Sequence, residues 1–551
     1  MKIKIVAGVC LLIVLSSQAF AGENFVDQFL AKYKPSTVDS KPTPSEVAPD
    51  ALSSLIRNGE IPMSMNDVIG LTLRNNLDIG YDRMATLSSR IALNSFYRPF
   101  DPTLHINAGL NQNAAPSPSS LSGVPSVSQF SQVYGVAYTQ TLQTGTDVGI
   151  DFSLNRLSTN NRFATFNPGW TGLVTYSATQ HFMKNFGRDI NARQLKVAKN
   201  NIEISDTQFE RQVIDLVTQA EKSYWDLVFT FEDLKVKQRS MEVAQKTLSD
   251  NRIQVDAGAM AAADLVQAES EVASRQQQLL DSGFTQVLAS DQMKKLVTNG
   301  PDPGLVLTKI SPTQSVPRPG STDVLSKEEA IRIALENRPE MREIALQMKN
   351  NDLDIQYTKN QLMPSLDVTA AYTQNGLGGP LTQLSGFGPD AVVLGVVPGG
   401  VGDALGQIVR NQYRGYRVQA TLEIPLSNKA AQSDHSRAVV ERRTAENRKA
   451  ATAQAIALEV RNAITQVEMS AARIQAAQTI RVLAERKLDY EQRKFDLGVT
   501  PIRFVIDEQR NVTQAQTDEI AALVGYAKAM VDYNRAVGTI LKKNNIVLDN
   551  N

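Results

Sequence analysis

Residues able to do chemistry are few and scattered in this chain. There are three histidines, His105, His181 and His435. They show no HExxH or other ligand spacing, which argues against a metal site. The one cysteine, Cys10, lies in an apolar run near the N-terminus. Beyond that run, disulfides, thiol catalysis and cysteine-based metal sites are excluded. The Gly-rich stretches "GLGGP" and "VVPGGVG" lack the strand-to-helix context of a phosphate loop, and there is no nucleophile elbow. The chain therefore reads as a non-enzyme without a cofactor. What recurs instead is a turn. "QVDAGAMAAADLVQAESEV" (residues 254–272) is echoed about 240 residues later by "KFDLGVTPIRFVIDEQRNV" (494–512). Each has a glycine near its start, Gly258 and Gly498, between two long helical patterns.

The elements that position these turns begin with an exported chain. Lys2 and Lys4 precede an apolar run over residues 5–15, and Ala19-Phe20-Ala21 offers a cleavage site. Val9 before Cys10 is too large for a lipidation site. The expected signal peptide is 1–21, followed by an extension over 22–63 whose segment 34–49 is rich in Pro and Ser. No later stretch approaches the 18 unbroken apolar residues of a membrane-spanning helix. The 57 basic and 57 acidic residues balance, so nucleic acid is not an expected partner. Sparse aromatics, 6%, suit thin close-packed helices.

The chain reads as two copies of one plan. "VIGLTLRNNLDI" (68–79) matches "AIRIALENRPEM" (330–341), and Pro102 matches Pro364. Ala220, Leu227, Leu234, Met241, Leu248 and Val255 align with Val460, Val467, Ile474, Arg481, Leu488 and Phe495, and Gly258 with Gly498. This predicts a first repeat over 64–300, a Pro- and Gly-rich linker over 301–323, a second repeat over 324–545 and a tail over 546–551. Each repeat should run helix, strands, very long helix, turn, helix. First helices are expected over 66–98 and 327–359, with Ser64, Asn66 and Ser326 as caps. Long helices are expected over 190–256 and 430–496, and return helices over 263–298 and 501–541. A return helix stacked on a first helix equals one long helix, about 100 Å. The seven-residue rhythm calls for left-handed coiling of helix pairs.

Between the helices the pattern switches to alternation. Leu104, Ile106, Ala108 and Leu110 oppose His105, Asn107 and Asn111; Val148, Ile150, Phe152 and Leu154 oppose Asp147, Asp151, Ser153 and Asn155. Segments 365–373 and 416–424 alternate likewise, and residues 134–156 suggest a hairpin around Thr144-Gly145-Thr146. Long Gly/Ser/Pro/Asn-rich loops are expected over 113–130 and 376–408. Alternation alone also fits a soluble sandwich. Combined with an export signal, strands of this length suit a barrel in outer-membrane lipid. Four to six strands cannot close a barrel, and lipid tolerates no open edge. Identical copies must complete it.

The duplicated plan, "ATLEIPLSNKAAQSDHSRA" (420–438) and the two turns with their downstream helices together resemble the outer membrane efflux protein family, the TolC-type channels. The resemblance covers residues from about 65 to 541. It implies a mixed α and β fold: a homotrimeric outer-membrane β-barrel continuous with a long α-helical coiled-coil tunnel across the periplasm. It also implies a periplasmic adaptor docked at the turns, here Gly258, Gly498 and Pro501, and an inner-membrane transporter. Acidic residues past the turn glycine, Asp264 and Asp507, would form a cation-favouring entrance. The sequence departs from the family pattern at Gln267, Phe504 and Phe495, and Arg503 would offset part of the field. The family usually has two strands per repeat, whereas the first repeat here has room for four. Two other readings stand beside this one: an exported coiled-coil fibre or adhesin without a pore, and a conduit for secreted proteins rather than small compounds.

Overall fold

A computed structural model of the chain describes residues 60–117, 122–258, 260–300, 308–320, 324–386 and 392–548, with isolated positions before them. Residues 62–301 and 309–551 form one compact unit that contains both halves; Met1–Ile61 with Asp302–Thr308 form another, of which little is described.

The expected first helices are each broken in two. In the first half α1 (Met65–Asn75) gives way at Asn76 to α2 (Leu77–Ser95). In the second half α5 (Lys327–Asn337) gives way at Arg338 to α6 (Pro339–Gln361). Pro339 explains the second break, because it keeps Arg338 extended. Asn76 explains the first, since its side chain caps the new helix by accepting from Asp78 N at 2.9 Å. Ser64 starts α1 with a reciprocal capping box to Asp67, and Ser326 starts α5 by accepting from Glu329 N. Asn66 caps nothing; it lies inside α1.

The very long helices are α3 (Arg193–Asp256), 64 residues, and α8 (Lys429–Asp496), 68 residues. The return helices α4 (Ala262–Val297) and α9 (Ile502–Val537) are 36 residues each. Each return helix ends against the break, where the second segment begins. Asn75 and Asn76 donate to the Val297 and Leu296 carbonyls at 2.9 and 3.4 Å, which satisfies the open end of α4 where α2 begins. Likewise Arg338, ahead of α6, donates to the Ala536 carbonyl at the end of α9 at 3.4 Å. The seven-residue positions are buried or half-buried throughout. Arg481, the odd member, sits between Glu485 and Glu519 and joins α8 to α9. Farther along the same pair of helices Ile456, Val460, Ile464 and Val467 of α8 pack with Ala522, Tyr526, Ala529 and Tyr533 of α9. Among the described residues no helix is long and apolar enough to cross a membrane.

Six strands form one antiparallel sheet. They are β1 (Thr103–Pro116), β2 (Ser126–Leu142), β3 (Thr146–Thr159), β4 (Gly169–Met183), β5 (Ser365–Gly378) and β6 (Tyr413–Glu423), side by side in chain order. The first half thus supplies four strands and the second two, and the 144–146 hairpin belongs to the sheet. The strand β4 has no counterpart in the sequence expectation. Register sorts the side chains cleanly. Leu104, Tyr138, Ile150, Tyr176, Tyr372 and Tyr416 form one row across the six strands; the next row, facing the other way, is His105, Ala137, Asp151, Thr175, Thr373 and Gly415. On the outermost strands the apolar face is bare: Ile106 is 67% and Val418 75% exposed.

The expected loop over 376–408 is more ordered than a loop. It holds a short ribbon, Leu381–Ser385 with Val392–Val397, and a helix, α7 (Val401–Val409). The linker likewise holds a short strand, Lys309–Pro312.

Candidate functional site: the two turns

Both turns follow from one local rule. A helix that must reverse sharply ends on a residue with positive φ, which glycine adopts without a clash at Cβ. Gly258 has φ +72° and Gly498 φ +70°. At the second turn Gly498 N donates to Phe495 O at 2.8 Å and Val499 N to Lys494 O at 2.9 Å, closing the last carbonyls of α8. Pro501 is the N-cap of α9. Residue 259, in the first turn, lies outside the described residues, as do Ala19 and Ala21 of the expected cleavage site.

Asp264 lies in the first turn of α4 and is half-buried. There a carboxylate meets the free N–H groups of the helix start. Asp507 lies in α9, about half exposed, with the Arg510 guanidinium 3.8 Å away. Among the described residues Arg503 faces no carboxylate within ion-pair reach; its guanidinium lies over the Phe504 ring, 5.1 Å from the centroid. The two acids therefore stand in different fields, one beside a helix N-terminus and one beside a cation.

What joins the turns was not singled out from sequence. Ile502, Val505 and Ile506 form an apolar cluster that receives Phe495 and Leu488 from α8 and Met260 from the first turn. Phe495 cannot form a polar tie; it serves this cluster instead. One turn of helix further on, Glu271 and Arg275 of α4 form a buried ion pair at 2.7 Å, and Arg510 of α9 donates to the second oxygen of Glu271 at 2.6 Å. The i, i+4 spacing of Glu271 and Arg275 is the one sequence signal that could have found it. Glu508 pairs with Lys487 at 2.6 Å. Burial alone would raise the Glu508 carboxyl, but Lys487 and Asn511 outweigh it and hold it below the ordinary glutamate value.

A second cluster lies on the polar face of the sheet. His181 of β4 stands between two carboxylates from neighbouring strands, Nδ1 2.7 Å from Asp367 and Nε2 3.1 Å from Asp147. Thr141 donates to Asp147 at 2.6 Å. Sequence separation hid this grouping, which strand register creates.

The chain matches the family described as outer membrane efflux protein over residues 146–297 and 330–539, more than half its length. No curated protein sequence matches it. Several solved structures share its fold. The Campylobacter jejuni CmeC outer membrane channel is 14% identical with a TM-score of 0.58, covering 86% of this chain and 85% of its own. The open-state Neisseria gonorrhoeae MtrE outer membrane channel is 15% identical with a TM-score of 0.56, covering 87% and 89%. The Vibrio cholerae outer membrane protein VceC is 13% identical with a TM-score of 0.57, covering 86% and 96%. Long paired helices closed by glycine turns, and a sheet apolar on one face only, are thus elements of a known plan, and the chain belongs to the outer membrane efflux protein family, whose channels lie in the Gram-negative outer membrane and extend into the periplasm.

Proposed function

We propose that this chain is the exit channel of a tripartite efflux or type I secretion system, built as a homotrimer from an internally duplicated protomer. The observation that carries the reading is the sheet. It is apolar on one face, bare there on its outermost strands, and polar on the other, and among the described residues its outer strands β1 and β6 each leave one edge unpaired. In lipid such edges must be paired, and a ring of identical copies does so without a new element. Three copies give eighteen strands from six each. The polar face then lines a wet lumen, with His181, Asp147 and Asp367 facing it. The channel is passive: energy comes from an inner-membrane transporter, and a periplasmic adaptor grips the ring of turns at Gly258, Gly498 and Pro501. Asp264 and Asp507 form a negative constriction at the periplasmic entrance, trimmed by Arg503 and Arg510.

The test is direct. Detergent extraction should release a trimer that conducts ions in planar bilayers. A water-soluble rod without conductance would support the pore-less fibre and reject the channel. Double substitution Asp264→Ala with Asp507→Ala should lower the preference for cations over anions; an unchanged preference rejects the acidic constriction while leaving the channel standing.

A further inference from the structure

The segment between β5 and β6 lies on the wrong face of the sheet for a loop of the lumen. The side of the sheet that it covers is given by the residues it touches. Gly172 of β4, and Gly376 and Gly378 of β5, lie in the apolar rows, on the same side as Leu154, Tyr176 and Tyr372. Helix α7 sits on these glycines. A Cβ on Gly172 would come within 2.7 Å of Ile408 Cδ1, and one on Gly376 would collide with the Ala404 carbonyl. Ala404 and Ile408 are the buried residues of α7. Its seat is also polar where it must be. Gln407 donates to Leu377 O and accepts from Leu377 N, both at 2.9 Å, beyond the point where β6 stops pairing with β5. Asn411 accepts from Tyr372 Oη at 2.6 Å.

The outward side of this segment is as apolar as its inward side. Val409 is 84% exposed, and in the ribbon Val392, Leu394 and Val396 are 63, 70 and 57% exposed. Residues 379–409 contain no Lys or Arg and two Asp. One of these, Asp403, is used within the helix, accepting from Gly400 N at 2.7 Å. A segment standing in water has no reason to present such a surface. The helix rests on the apolar wall, beside which Gln374 and the Arg156–Trp170 pair are polar groups of that face, and the exposed Arg410 follows its last turn.

We infer that α7 and the Val392–Val397 strand form a membrane-lying flap: α7 rests against the outside of the wall, and hydrocarbon chains of the outer leaflet occupy the exposed surface of both. The ribbon is joined to the loop between β3 and β4 by Thr382 N, which donates to Thr165 O at 2.9 Å. The wall is thereby made thicker at its outer end, where glycines leave a groove in place of bulky side chains. The inference goes beyond conduction and rests only on the apolar face meeting lipid.

The chain after the apolar N-terminal run contains no cysteine, so single cysteines can report depth. Val409→Cys and Leu394→Cys, both at exposed positions, would be labelled with an environment-sensitive fluorophore in the full-length protein reconstituted into vesicles. Leu104→Cys on the apolar face and Asn107→Cys on the polar face serve as references. The expected result is that labels at 409 and 394 behave like the one at 104: blue-shifted, quenched several-fold more by brominated lipid than by aqueous iodide. Iodide quenching at 409 and 394 with lipid quenching at 104 overturns the flap alone. Protection of 409 and 394 from both quenchers means that protein covers them, and overturns it too. Failure of lipid to reach 104 overturns the wall itself. Gly376→Ala, which removes the seat of α7, should move the label at 409 toward iodide; no movement would show that α7 does not depend on this groove and would count against the inference.

Discussion

Helix α9 makes two seams, and they are chemically opposite. Toward α8, in its own half, it presents Ala522, Tyr526, Ala529 and Tyr533 to Ile456, Val460, Ile464 and Val467. Toward α3, in the other half, it presents polar groups in regular succession. Gln509 meets Thr247, Thr513 meets Ser240 at 3.1 Å, and Thr517 donates to Asp233 at 2.9 Å. Further up, Lys528 pairs with Asp226, Asp532 with Lys222 and Arg535 with Asp215. Burying apolar surface resists any separation, because water gains nothing by entering. Exposed ion pairs such as Lys528–Asp226 exchange with water at little cost, although Thr513 and Asp233 lower in this seam are sheltered. The second half is therefore held together from within, while the outer ion pairs of its joint to the first half are ones that water can compete for. At the turns this division ends: the Glu271–Arg510 contact and the Met260 insertion tie the halves firmly.

Five substitutions, at four places in the helical part, would break or sharpen this contrast. The largest effect is expected at the tie. Glu271→Ala leaves Arg275, 3% exposed, as a buried cation without its partner, at about 4 kcal/mol. Hydrogen exchange should show α4 and α9 opening together near the turns; exchange confined to α4 would mean that Arg510 is no tie. Next is the apolar seam. Ile464→Ala, at a residue 1% exposed, should cost about 3 kcal/mol and lower the denaturation midpoint of the whole helical part. Third are the turns. Gly258→Ala and Gly498→Ala put a Cβ at positive φ, about 1 kcal/mol each, and both should speed proteolysis at the turns by similar factors; a large inequality would say that the two turns are not equivalent. The smallest effect belongs to the polar seam. Lys528→Met, opposite an Asp226 that is 53% exposed, should cost about 0.5 kcal/mol, and the difference from the parent should vanish in high salt. A loss as large as at Ile464 would abolish the contrast.

The helical plan was legible because it obeys one-dimensional rules. A seven-residue rhythm and two glycines located α3, α4, α8 and α9 to within a few residues, and Ser64 and Ser326 located the starts of α1 and α5. Helix breaks at Asn76 and Arg338 were hidden because apolar periodicity runs across them; only the cap chemistry of Asn76 and the proline at 339 mark them. Strand β4 was missed because its contrast is weak: Leu173 falls on the polar face and Gly172 on the apolar one. Helix α7 was read as loop because "PGGVGDALGQIV" is rich in glycine, and its stability comes from the groove beneath it. The partners of His181, and the Arg510 partner of Glu271, could not be read at all, since register and helix contact, not spacing, bring Asp147, Asp367 and Arg510 to them.

The strand count has a geometric consequence for the proposed trimer. Eighteen strands, spaced about 4.8 Å and tilted about 40°, enclose a perimeter of roughly 110 Å. Twelve helical columns, four from each protomer, spaced about 9 Å apart, enclose roughly the same perimeter. Twelve strands would enclose only about 75 Å, and the conduit would have to taper where helix becomes strand. The extra hairpin in the first half removes that bottleneck, so the bore can pass from one secondary structure to the other at constant girth.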